Sequence, residues 1–353
     1  MKVAIVTLNG NDNYGNKLQH YAVQKYLENS GVAVKTISFL YYNQLNYYIK
    51  HFLKYLLRKR YRNFCKFDRL INYYNKKIFY RTNLIIPNNL DNEFDTFFVG
   101  SDQVWNSSIN CFSNHYLLSF VKDNRKKNSI SASFGISNIP AKDEALFENE
   151  LKKFNSISVR EYRGKELVEK LTNRNDVEVL VDPTMLLSSD EWDKVSKRPK
   201  QLNKIGNKKY ILNYFLGNLS EERGKEIDRI AKENDCYVIN ILDKNDPFYV
   251  CGPSEFLYLE KHAFLICTDS FHSSVFAILY NTPFIVFDRE DNVGDMSSRI
   301  DTLLSKFKLE DRKYNGKISD KLLKCDYKDA YKILEVERKK SDDFLRRALD
   351  IKD

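Results

Sequence analysis

The chain alternates short apolar runs with longer amphipathic stretches. Val3, Ala4, Ile5 and Val6 form the first run, which predicts a strand over 3–7. Leu18, Tyr21, Ala22, Tyr26 and Leu27 then recur on one face, a helix over 16–29 that Gly31 stops. A strand over 32–39 comes next. A helical segment over 44–81 follows, in which Ile49, Phe52, Leu53, Leu56 and Leu57 fall at helical spacing. The strand predicted over 96–99 runs into Gly100-Ser101-Asp102. Strands over 129–133, 157–159 and 177–181 alternate with helices over 142–153 and 161–171.

Asp182-Pro183 breaks the alternation, and 188–209 is polar and lysine-rich with little apolar periodicity. The pattern then restarts with strands over 210–214, 237–241, 264–268 and 284–287 and helices over 221–233, 254–262 and 271–280. Helices over 295–306 and 329–349 close the chain. Strand–helix alternation in both halves predicts an α/β protein of two Rossmann-like domains with parallel sheets, facing a cleft. The expected divisions are an N-terminal domain over 1–187, with 44–81 as its basic helical insertion, and a C-terminal domain over 188–327. A last helix over 328–353 returns to the first domain. Sheets of this kind bind ligands at the carboxyl ends of their strands.

Charge sharpens the view of the insertion. The 353-residue chain carries 57 Lys and Arg against 48 Asp and Glu, a net charge of +9. Residues 50–81 hold 11 basic residues and one acid, Asp68, so 11 − 1 = +10 sits there and 9 − 10 = −1 elsewhere. One basic segment on an otherwise neutral chain argues against a nucleic-acid partner, which needs a basic face built from several elements. Basic, aromatic and amphipathic together suit an anionic membrane surface or a lipid pyrophosphate. An ordinary helical insertion with a solvated charged face fits equally. No apolar run approaches the ~18 residues that span a bilayer. The run Val3–Val6 is too short for a signal-peptide core, so a cytoplasmic chain is expected, peripheral at the inner face of the plasma membrane if the basic segment docks there. Six scattered cysteines without CxxC spacing point to free thiols in a reducing compartment and away from zinc or disulfides.

Three loops at strand ends carry the candidate chemistry. The first runs from Asn9 to Gln19 and lacks the GxGxxG of a dinucleotide site. Its Asn13, Tyr14, Gly15, Asn16 and Gln19 suit an anion or sugar hydroxyls at a helix start, or simply a capped tight turn. The second holds Ser101, Asp102, Gln103 and Trp105: a carbohydrate surface with a stacking ring, or a capped turn with a packed Trp. The third is Thr268-Asp269-Ser270-Phe271-His272-Ser273-Ser274, which opens an apolar helix. Its helix dipole and N–H groups attract phosphate or carboxylate, and His272 can act as acid or base near neutral pH. Arg160, Arg289 and Arg299 are candidate anion clamps. No metal-ligand cluster appears, and no metal site is expected.

Six motifs occur in order: Asn13-Tyr14-Gly15-Asn16-x-Leu18-Gln19-x-Tyr21-Ala22, Gly100-Ser101-Asp102-Gln103-Val104-Trp105-Asn106, Ser158-Val159-Arg160-Glu161, Asp182-Pro183-Thr184, Gly252-Pro253-x-Glu255-Phe256-Leu257 and Thr268-Asp269-Ser270-Phe271-His272. Together, from residue 1 to about Arg312, they resemble the polysaccharide pyruvyl transferase family. The resemblance implies a GT-B-like fold and transfer of pyruvate from phosphoenolpyruvate to two hydroxyls of a sugar, giving a cyclic ketal. It implies phosphoenolpyruvate as co-substrate with no other cofactor, and a saccharide or lipid-linked oligosaccharide acceptor of exopolysaccharide or capsule biosynthesis. The family's His maps onto His272. Some members carry an Arg two residues before it, where this chain has Ser270, so the donor clamp falls to Arg160, Arg289 or Arg299. On this reading Ser270, Ser273 and Ser274 help bind the donor, and the first two loops hold the acceptor. A GT-B-type glycosyltransferase using a nucleotide sugar, or a non-catalytic carbohydrate-binding component of capsule assembly, are the alternatives.

Overall fold

A computed structural model describes every residue except 9, 41–43, 75–77, 80–89, 111, 291–296 and 352–353. Asn9 of the first loop, parts of the basic segment at 75–77 and 80–81, Cys111, and the first two residues of the helix expected over 295–306 therefore lie outside the described residues.

The chain folds as two compact units. One comprises Met1–Arg58, Asp68–Leu186 and Val336–Asp353, the other Lys59–Phe67 and Leu187–Glu335. In the first, β1 (Lys2–Val6) leads into α1 (Tyr14–Asn29) and β2 (Ala33–Thr36), then β3 (Phe39–Leu40) and α2 (Gln44–Leu57). Helix α3 (Lys59–Asp68) comes next. The first unit continues with β4 (Ile78–Phe79), α4 (Leu90–Glu93), β5 (Thr96–Asp102), β6 (Lys127–Ala132), α5 (Ala141–Leu151), β7 (Ser158–Val159), α6 (Tyr162–Thr172) and β8 (Glu178–Val179). Its main sheet is parallel, in the order β2-β1-β5-β6-β7-β8, and β3 pairs with β4.

Strands covered on both faces need apolar residues throughout, and Val3 to Val6 and Phe97 to Val99 are fully buried. Strand β6 is buried as well, although its sequence is KNSISA. Its polar side chains are satisfied across the sheet: Ser129 donates to the Ser158 carbonyl (2.9 Å), Ser131 to that of Val181 (2.7 Å) and Asn128 to Thr96 Oγ1 (2.8 Å).

The second unit contains α7 (Ser189–Asp193), β9 (Lys209–Tyr214), α8 (Glu221–Glu233), β10 (Cys236–Asn240), α9 (Pro253–His262), β11 (Leu265–Thr268), α10 (Phe271–Tyr280), β12 (Phe284–Val286) and α11 (Ser297–Phe307). Its sheet is parallel in the order β10-β9-β11-β12. The last helix, α12 (Lys328–Ala348), begins in this unit, where Tyr331 donates to the Leu279 carbonyl (2.9 Å). From Val336 it belongs to the first unit, where Phe344, Leu345, Ala348 and Leu349 join a core with Val3, Ile5 and Phe98.

The basic segment departs from its expected place inside one domain. It forms two helices, and most of α3 belongs to the second unit. The reason is local bonding. Arg60 Nη1 donates to the carbonyls of Ile241 (3.3 Å) and Tyr249 (3.0 Å), and Asn63 to that of Val250 (2.7 Å). A Cβ on Gly252 would stand 2.9 Å from Asn63 Cβ, so glycine permits this approach.

Candidate functional site

Each sheet has a point where strand order reverses, the place where open α/β sheets form ligand crevices. In the first unit it lies between β1 and β5, and in the second between β9 and β11. The candidate loops fall at these two points.

At the first, Thr7 follows β1. Its hydroxyl donates to the Ser101 carbonyl (3.2 Å) and accepts from Gln19 Nε2 (3.0 Å), tying α1 across both strands. Gly100 has φ +120°, and a Cβ there would lie 2.2 Å from the Ile130 carbonyl oxygen, so only glycine fits at this point of β5. Beyond it the Ser101 hydroxyl donates to Asp182 Oδ2 (2.8 Å). Arg160, after β7, places Nη1 2.7 Å from Asp182 Oδ2 and Nη2 3.3 Å from Asp102 Oδ1. Asp182 also accepts the Thr184 amide (3.0 Å) and hydroxyl (2.7 Å). Glu161 accepts the Ser133 hydroxyl (3.0 Å) and the Phe134 amide (2.9 Å). Burial by itself lowers the Arg160 pKa. Asp182 and Asp102, with Glu161, outweigh it and hold the guanidinium above its ordinary value.

This geometry corrects three readings. Arg160, expected as an anion clamp for the donor, is buried between two carboxylates of its own unit. Trp105, expected as a stacking ring, has no exposed surface; it packs against Phe134 and Phe154 and its indole N–H donates to the Tyr116 carbonyl (3.0 Å). Tyr14, Gly15 and Gln19 in α1 and Ser101 and Asp102 at the end of β5, expected on the acceptor surface, are buried too. Asn13, Asn16 and Gln103 are half-buried. Asn13 caps α1, its side chain accepting the Asn16 amide (3.2 Å).

At the second point, Asp269 follows β11. Its carboxylate accepts the amides of Leu216 and Gly217, each at 2.7 Å, and so fixes the loop after β9. Arg289, in the loop after β12, has Nε 3.6 Å from Asp269 Oδ2 and a side chain 21% exposed. Ser270 is the N-cap residue of α10; its amide donates to Thr268 Oγ1 (3.0 Å), and its hydroxyl makes no capping bond. His272 is the second residue of the helix and nearly buried, its ring edge-on to Phe271. Ser273 and Ser274, expected at the donor, are buried and bonded inside the unit. Ser273 donates to Glu260 Oε1 (2.6 Å) and Ser274 to the Ser270 carbonyl (3.0 Å). Arg299 lies buried in the first turn of α11, which packs against α10.

Asp269, Asp182, Glu161 and Glu260 were not among the candidates. A carboxylate directly after a strand was the available signal for Asp269. Nothing local marks Glu260, inside the amphipathic α9, where burial pushes its carboxyl well above the ordinary range and the Ser273 bond counters this only in part. The two points thus differ in charge balance. The first sets one guanidinium against the carboxylates of Asp102, Asp182 and Glu161, whereas the second sets Arg289 beside Asp269, next to a helix start that carries His272.

The sequence model of the family described as polysaccharide pyruvyl transferase matches residues 13–292. No curated protein matches the sequence significantly. Among solved structures, the UDP-GlcNAc 2-epimerase of Neisseria meningitidis bound to UDP-GlcNAc is 16% identical, with a TM-score of 0.54 over 98% of this chain and 100% of that one. The MnaA–UDP co-structure from S. aureus is 12% identical, with a TM-score of 0.55 over 99% and 97%. Anabaena HepE, in complex with UDP and glucose, is 10% identical, with a TM-score of 0.52 over 99% of both chains. At such identities the likeness concerns the fold, which is GT-B-like α/β.

Proposed function

The chain belongs to the polysaccharide pyruvyl transferase family, and from that premise we propose that it transfers pyruvate from phosphoenolpyruvate to two hydroxyls of one sugar in a bacterial polysaccharide or its lipid-linked precursor, forming a cyclic ketal. The observation that carries this reading is the family match over 13–292, which takes in the strand-end loops of both units.

The donor is assigned to the second unit. Phosphoenolpyruvate carries a phosphate and a carboxylate, and the excess of carboxylates around Arg160 disfavours an anion at the first strand edge. The start of α10, with the Ser270 hydroxyl and Arg289, suits both groups. His272 gives a proton to C3, which makes C2 electrophilic. One acceptor hydroxyl adds to C2. The bond from C2 to the phosphate oxygen breaks, and phosphate leaves with the electron pair. The second hydroxyl adds to the same carbon. Of the two hydroxyl protons released, one replaces that given to C3 and the other leaves with phosphate. Donors already aimed at the phosphate would supply the electrostatic stabilisation. The scheme changes no oxidation state and calls for no redox cofactor. Asn13, Asn16 and Gln103, the accessible remainder of the acceptor set, are assigned to sugar hydroxyls.

Thermal unfolding of the full chain with phosphoenolpyruvate, UDP-sugars or GDP-sugars tests the donor. A ligand at about 100 times its Kd adds about 2.7 kcal/mol to the folded state. A raised midpoint with phosphoenolpyruvate alone supports the reading. A rise with a nucleotide sugar alone overturns it in favour of glycosyl transfer.

A further inference from the structure

Helix α2 wears its apolar face outward. Leu45, Ile49, Phe52, Leu53, Leu56 and Leu57 form one contiguous face and are 70, 49, 61, 48, 52 and 79% exposed. The opposite face packs inward with the less apolar side chains. Tyr47, His51, Lys54 and Tyr55 are half-buried, Tyr47 stacks on His51 at 5.7 Å, and Lys54 lies 3.6 Å from Asp12. A helix that merely covered a core would show the reverse arrangement. A continuous exposed apolar face of this kind marks an interaction surface.

The surrounding charge says what it fits. Residues 44–67 contain no Asp or Glu, and Lys50 and Arg58 are exposed. A second copy would bring these cations against their own kind, whereas an anionic bilayer complements them. The 14 residues of α2 span roughly 21 Å, too short to cross a bilayer and long enough to lie along one. Among the described residues no helix is long and apolar enough to cross a membrane.

We propose that α2 lies in the interface of an anionic lipid bilayer, with Phe52, Leu53, Leu56 and Leu57 among the acyl chains and Lys50 and Arg58 at the headgroups. This goes beyond pyruvyl transfer and does not depend on it, because the readout is binding to lipid and not turnover.

The test is co-flotation of the full chain with vesicles of phosphatidylcholine, with or without phosphatidylglycerol, at low salt. Binding is expected only with phosphatidylglycerol and should weaken as salt rises. The double substitution Phe52→Ser/Leu56→Ser should lower it about tenfold or more with an unchanged thermal midpoint, since both side chains are exposed. Lys50→Glu/Arg58→Glu should lower it independently. Absence of binding at low salt, or undiminished binding by both variants, overturns the proposal. So does light scattering that shows a dimer which the Ser substitutions dissociate, because that outcome gives the face to a second copy.

Discussion

At the carboxyl edge of the first sheet, Arg160 meets Asp102 and Asp182 and is buried with them. At the edge of the second, Arg289 keeps part of its surface in solvent beside Asp269, and His272 stands on the first turn of α10. Both edges use an arginine, aspartates and serines at a strand-order reversal. In the first, Arg160, Ser101 and Thr184 all bond to Asp182, and Arg160 also reaches Asp102. In the second, Asp269 secures the neighbouring loop by its two backbone bonds, while Ser273 ties α10 to Glu260 of α9.

Substitution at the two edges should separate their roles. His272→Ala is expected to lower turnover of phosphoenolpyruvate by roughly 10²- to 10⁴-fold, the usual worth of a positioned acid or base, with little change in unfolding midpoint. A near wild-type rate would remove His272 from the chemistry and erase the contrast. Arg160→Ala should act on stability instead. It leaves Asp102 and Asp182 buried without their countercharge, at a cost of about 3–5 kcal/mol in denaturant unfolding. Unchanged stability together with a raised KM for phosphoenolpyruvate would move the donor to the first edge and invert the comparison.

A smaller effect sharpens the comparison through pH. In the first unit, burial, aided by the nearby Lys17 ammonium and opposed by Asp68, holds His20 at about 3, and burial alone does the same for His115. Both are neutral in the folded chain, while the unfolded chain protonates them near their ordinary value of about 6.5. Between roughly pH 6.5 and 3 the unfolded state binds the extra protons, so stability falls as pH falls, by about 2 kcal/mol per histidine at pH 5. The difference between wild type and His20→Gln should show this slope from pH 7 to 5, whereas the wild-type profile also carries the opposite contribution of Glu260, which burial keeps protonated. An unchanged slope in His20→Gln would mean that the His20 ring meets solvent in the native state.

Much of this molecule was legible along the chain because its signals are local. Alternation of apolar runs and amphipathic stretches specified two parallel α/β halves. Asn13 marked the cap that it forms. The same local reading left Trp105 between a stacking ring and a packed side chain, since a Trp after a strand looks alike whether it faces a sugar or Phe134. Nor did it divide the basic segment, because the bonds that draw α3 to the second unit reach Ile241 and Val250.

By itself the sequence determined the order of the elements, the loops at the strand ends and the amphipathic character of α2, because each is written in the spacing of neighbouring residues. Only the tertiary structure decided which polar side chains close on one another and which way the apolar face of α2 points. The partners concerned are far apart in the chain: 58 residues separate Asp102 from Arg160, and 81 separate Ser101 from Asp182. A polar residue is consumed or offered according to what folding brings within hydrogen-bond reach, and periodicity carries no record of that distance.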